Sequence, residues 1–118
     1  RGRAQHEQLR SCALLFYVKG EMAGSVPLPA AEWLPIIVKN WETILQLGEE
    51  GKIVAGGKLA GRRGECAIFD VGSPDELDDL VRHLPLFPFL EWEVVPLRAV
   101  EDALESVKLT LEAITDGA

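Results

Sequence analysis

Leu84-Pro85-Leu86-Phe87-Pro88-Phe89-Leu90-Glu91-Trp92-Glu93-Val94 is a proline-punctuated apolar turn that runs into a strand. Neither proline can extend a helix or donate to a sheet ladder, so the stretch separates a helix behind it from a strand ahead. Ahead, alternation puts Glu91 and Glu93 on one strand face and Leu90, Trp92 and Val94 on the other, which predicts a strand over residues 89–97. Behind, Ser73-Pro74-Asp75-Glu76 reads as a capping box with proline at the first helical position, and Leu77, Leu80, Val81 and Leu84 form the apolar stripe of a helix that Pro85 stops.

Working outward, residues 11–19 are rich in aliphatic and aromatic side chains, with Leu14, Phe16 and Val18 on one face and Leu15 and Tyr17 on the other. That pattern predicts a strand buried on both faces. Trp33, Ile37, Trp41, Ile44 and Leu47 recur at helical spacing, ended by Gly48 and Gly51, and a proline inside a helix predicts that the regular part begins near Pro35. Residues 53–60 and 65–71 read as two strands joined by Gly61-Arg62-Arg63-Gly64. Val100, Leu104, Val107, Leu111 and Ile114 make a four-three stripe on a closing helix.

The order β-α-β-β-α-β plus a final helix fits an α+β, ferredoxin-like domain, with two helices covering one face of a four-stranded antiparallel sheet. The other face should be wet, yet strands one and four carry apolar residues on both sides. A second copy covering that face is the simplest account, giving a dimeric α+β barrel type of homodimer; the C-terminal helix folding over the face is the alternative. The chain divides into a basic arm at residues 1–10, the domain at 11–98, and a helix at 99–118 that packs on the domain or on a neighbouring subunit.

With 118 residues, 47% of them hydrophobic, the chain can bury one core without metals or disulfides. A net charge of -7 argues against nucleic acid or anionic membrane as partner. The longest apolar run, residues 12–18, is far short of the roughly 20 residues a bilayer requires. Cys12 and Cys66 lack knuckle or CxxC spacing; opening two antiparallel strands, they would sit at opposite ends of the pair. Free thiols make a cytoplasmic location the default expectation.

No glycine-rich loop leads into a helix, no GxSxG occurs, and His6 and His83 have no metal-ligand spacing, so neither a nucleotide nor a metal is expected. His83 reads as a cation at a helix C-terminus. What remains is polar chemistry near the opening between the first helix and the sheet: Tyr17 and Lys19, Asn40, Lys58, and Glu91 and Glu93. A cation among apolar walls can hold a carboxylate, and a carboxylate there can move a proton. The bland account is that the lysines snorkel at strand ends and the glutamates pair across strands.

Leu15-Phe16-Tyr17-Val18-Lys19, Leu59-Ala60-Gly61, Ile68-Phe69-Asp70-Val71 and the LPLFP turn into Glu93-Val94 together resemble the muconolactone isomerase family over residues 15–97. The resemblance implies tight dimers able to build a ring, and a cofactor-free isomerase that moves a proton across an allylic system in an unsaturated lactone bearing a carboxylate. It implies an acid on the first helix, where this chain has Asn40. A His, Tyr and Asn cluster of the family is replaced here by Arg62, Arg63 and Glu65, a charge clamp; Lys19 matches, and Lys58 replaces another cation. Catalysis is then expected from Glu93 or Glu91, with Tyr17, Lys19, Asn40, Lys58, Arg62 and Arg63 binding a small organic acid or lactone. Two further readings stand beside it: a non-catalytic small-molecule-binding or accessory protein that lost the acid, and a purely oligomeric scaffold.

Overall fold

The structure, a computed structural model, describes residues 13–117; the basic arm, His6 and Cys12 lie outside the described residues. Its elements run β1 (Leu14–Glu21), α1 (Ala30–Glu49), β2 (Ile53–Lys58), β3 (Gly64–Val71), α2 (Pro74–Arg82), a 3₁₀ turn (Phe87–Phe89), β4 (Glu91–Leu97) and α3 (Val100–Gly117). The strands form one sheet in the order β2-β3-β1-β4 with every neighbour antiparallel, as the ferredoxin-like reading requires.

Register decides which face each side chain takes, because residues directly opposite one another point the same way. Val18 lies opposite Ala67 and Val94, and Gly20 opposite Glu65 and Trp92. This row faces the helices: Val18, Ala67, Phe69 and Val71 are buried with Leu47 of α1 and Leu77, Val81 and Leu84 of the second helical segment. Phe69 is 1% exposed, and truncating such a side chain to alanine costs about 3–5 kcal/mol. Trp92 lies over Gly20, stacks on Phe87 at 5.8 Å and donates its indole N–H to the Phe87 carbonyl at 3.0 Å. The apolar turn is thereby fastened to the sheet.

Several boundaries differ from the sequence expectation. α1 begins at Ala30, ahead of Pro35, because the Pro29 carbonyl accepts from Glu32 N and Trp33 N, while Trp33 is buried edge-on to Phe89 at 5.1 Å. The hydrogen bond that Pro35 forgoes falls on an exposed turn of the helix, open to solvent. β2 ends at Lys58 and not at Ala60, with an irregular register between Ile53 and Ala55. Phe89 belongs to the 3₁₀ turn, so β4 starts at Glu91. The capping box forms as read, Ser73 Oγ accepting from Glu76 N at 3.1 Å, while the Glu76 carboxylate accepts from Gly72 N at 2.8 Å and pairs with Lys52.

β1 is buried on one face only. Leu15, Tyr17, Lys19 and Glu21 are half-buried on the other, beside Cys66 and Ile68 of β3 and Val95 and Leu97 of β4. In α3 the entire stripe of Val100, Leu104, Val107, Leu111 and Ile114 is exposed, from 53% to 79%. No helix among the described residues is long and apolar enough to cross a membrane.

Candidate functional site

The inward face of α1 carries one polar residue in its apolar row. Asn40 stands one heptad from both Trp33 and Leu47, two other buried residues of the helix, and is itself 0% exposed. Opposite it, β3 opens its inward row of Ala67, Phe69 and Val71 with a carboxylate, Glu65, which is 5% exposed. Asn40 Nδ2 donates to Glu65 Oε1 at 2.8 Å, and Leu86 N of the apolar turn donates to Asn40 Oδ1 at 3.0 Å. One carboxamide thus joins helix, sheet and turn. Burial holds the Glu65 carboxyl above the usual carboxylate range, and the Asn40 hydrogen bond only partly offsets this. Among the described residues no cation pairs with Glu65.

Glu65 lies at the wall shared by two clefts between α1 and the sheet. The larger, about 490 Å³, is bounded by apolar residues including Trp41, Ile44, Ile53 and Trp92. The smaller, about 150 Å³, is bounded by Trp33, Ile37, Trp41, Leu86 and Leu90. Lys58 and Glu65 touch both, and Arg63 lines the smaller. Lys58 Nζ donates to the Leu59 and Arg62 carbonyls at 2.9 and 2.8 Å, which folds the hairpin over the cleft mouth.

The residues expected to form one pocket therefore fall into two groups. Lys58 and Arg63 line the clefts, and Asn40 lies buried behind them, bonded to Glu65. Tyr17, Lys19, Glu91 and Glu93 stand on the opposite face of the sheet, since they alternate with Val18, Gly20 and Trp92. There Lys19 Nζ lies 3.7 Å from Glu21 and 4.0 Å from Glu93, and Arg62 forms a two-pronged pair with Glu21, whose carboxyl it holds below the usual range. Glu91 and Glu93 are exposed. The placement of the two glutamates at the helix–sheet opening is corrected by register: that opening belongs to the Trp92 side of β4. Glu65 was legible as the one carboxylate in the alternating row 65, 67, 69, 71 but was taken with its arginine neighbours as part of a clamp.

Chemically, a carboxyl raised by burial in an apolar cleft accepts and returns a proton near neutral pH more readily than a solvated one. The cations at the mouth suit an anionic ligand.

Comparison with known proteins bears on the fold and the family. The sequence profile of the family described as muconolactone delta-isomerase matches residues 14–103. The muconolactone delta-isomerase of Cupriavidus pinatubonensis is 36% identical over 84 residues, covering 71% of this chain and 91% of the relative. That of Rhodococcus opacus is 32% identical over 83 residues, covering 70% and 89%. A crystal structure of muconolactone isomerase superposes with a TM-score of 0.65 at 31% identity, covering 73% of this chain and 91% of the other. The profile ends within the first turn of α3, so most of that helix lies beyond the matched region. The fold, the matched span and the sequence similarity lead to one conclusion: the chain belongs to the muconolactone delta-isomerase family.

Proposed function

We propose that the protein isomerises a small unsaturated lactone bearing a carboxylate, without a cofactor, by proton transfer in the clefts between α1 and the sheet, and that Glu65 carries the proton. The observation that supports this most is a carboxyl 5% exposed, raised by burial, at the wall common to both clefts. Glu65 replaces Glu91 and Glu93 in the role, since those two stand exposed on the other side of the sheet.

In the proposed step the Glu65 carboxylate removes a proton from the γ ring carbon, across the conjugated double bond from the lactone carbonyl. The C–H electron pair spreads over the carbonyl and the adjacent double bond as a dienolate. The same proton then returns from the Glu65 hydroxyl to the far end of the allylic system, and the double bond moves by one position. No electron leaves the substrate, so the step balances without an oxidant or reductant. The apolar walls keep water from competing for the proton. Asn40 acts as a positioning residue, aiming one carboxyl oxygen and leaving the other for the substrate.

The open sheet face, with Leu15, Tyr17, Ile68, Val95 and Leu97, is proposed as the homodimer surface, and the α3 stripe as the contact for further assembly.

The test is turnover of muconolactone, followed by the ultraviolet change of double-bond migration. Wild type should turn over, Glu65→Gln should lose at least a hundredfold in kcat while still binding the lactone, and Glu93→Gln should stay within a few-fold of wild type. Full activity in Glu65→Gln refutes the assignment. A folded wild type that binds the lactone but never converts it moves the reading to a binding or accessory protein.

A further inference from the structure

We infer that Arg63 is the receptor for the substrate's carboxylate and makes the cleft selective for anionic lactones; this rests on the reading of the cleft just given. The reasoning starts from how the neighbouring cations are used. Lys19 lies beside Glu21 and Glu93 on the open face. Arg62 is held by Glu21 on the same face. Lys58 spends two of its three N–H donors on the Leu59 and Arg62 carbonyls. Among the described residues, the Arg63 guanidinium alone of these has neither a carboxylate nor a carbonyl partner, although it lines the smaller cleft with Glu65.

Its backbone is fixed even though its side chain is unspent. Met22 N donates to the Arg63 carbonyl at 2.8 Å, and Gly64, the first residue of β3, follows directly. Arg63, in the bend just before β3, and Glu65 are two positions apart and both reach the smaller cleft. Both residues line the smaller cleft, so one small lactone there can meet both side chains. A guanidinium lining the same cleft as Glu65 yet unpaired with it leaves two separate tasks to two side chains: a planar fork for the substrate's carboxylate, and a carboxyl raised by burial for its proton. Were the two paired, Glu65 would be a weaker base and the fork would be occupied.

Calorimetric titration with muconolactone and with its uncharged methyl ester tests this. Wild type should bind the acid at least tenfold more tightly than the ester. Arg63→Met should weaken the acid at least tenfold and leave the ester within twofold, while Arg62→Met leaves both within twofold and Arg63→Lys recovers part of the loss. Arg63 is exposed, so the substitution leaves the fold intact, with far-ultraviolet circular dichroism as the check. An Arg63→Met protein that binds the acid as wild type does, one that loses acid and ester equally, or a wild type that binds no acid at millimolar concentration each overturns the inference. If Arg63→Met is silent while Glu65→Gln abolishes turnover, the receptor assignment fails and the proton-transfer reading stands.

Discussion

Replacing Asn40 by alanine removes a side chain that joins α1, β3 and the apolar turn. Leu86 N loses its acceptor and Glu65 Oε1 its donor, in surroundings where Asn40 is 0% and Leu86 7% exposed. Each orphaned group costs about 1–3 kcal/mol, and the truncated side chain leaves a small void worth roughly 1 kcal/mol more. The expected loss is about 4 kcal/mol, a large share of the 5–15 kcal/mol typical of a domain. At about 4–8 °C per kcal/mol, the melting point should fall by roughly 16–30 °C. The loss should also depend on pH. Burial raises the Glu65 carboxyl and the Asn40 hydrogen bond opposes that rise, so without Asn40 the carboxyl is pushed higher still. A carboxyl raised on folding contributes its stability fully below the free value of 4.5 and loses it as pH climbs through the folded value, so the deficit should be smallest in acid and widen toward pH 8. Urea unfolding followed by circular dichroism from pH 4 to pH 8 measures both. A deficit under about 1 kcal/mol, or one that is the same at every pH, refutes the reasoning.

Three other outcomes follow from the same geometry. Glu65→Gln keeps an acceptor for Asn40 and removes the buried charge, so it should be more stable than wild type at pH 8, with the advantage vanishing below about pH 4.5 in the same unfolding experiment. Gly20→Ala would place a methyl 2.6 Å from the Trp92 ring and should cost about 1–3 kcal/mol in urea unfolding, whereas Gly57→Ala, with open space around it, should be far milder. Light scattering at micromolar concentration should return at least a dimer mass; Leu104→Glu with Leu111→Glu should reduce any larger assembly, and an unchanged mass would remove α3 from the assembly.

Element order was legible because the periodicities are strong and the punctuation is chemical: the serine cap, the proline stop and the LPLFP turn each reappear as contacts. The α1 boundary was not, because the local cost of Pro35 is overridden by a distant ring, Phe89, against Trp33. The site was half legible. Lys58 and Arg63 line one cleft with Glu65, and Asn40 is bonded behind it, but β4 is apolar on both sides, and alternation alone cannot say which side meets the helices. Pairing with β1 decides it, through Trp92 over Gly20, and sends Glu91 and Glu93 to the far face. The buried carboxyl proposed as proton carrier was hidden for a related reason: a glutamate beside two arginines reads as surface charge until β3's register turns Glu65 inward and Arg62 toward Glu21.

The aromatic residues divide between the two faces in a way that makes the molecule its own optical instrument. The chain has three tryptophans, and all of them wall the clefts: Trp33 the smaller, Trp92 the larger, Trp41 both. Its single tyrosine, Tyr17, lies on the opposite sheet face. Indole emission therefore comes entirely from the neighbourhood of Glu65, while the phenol reports the surface expected to meet a second subunit. Ligand entry can be followed in the unlabelled protein by exciting indole alone, at wavelengths the phenol does not absorb.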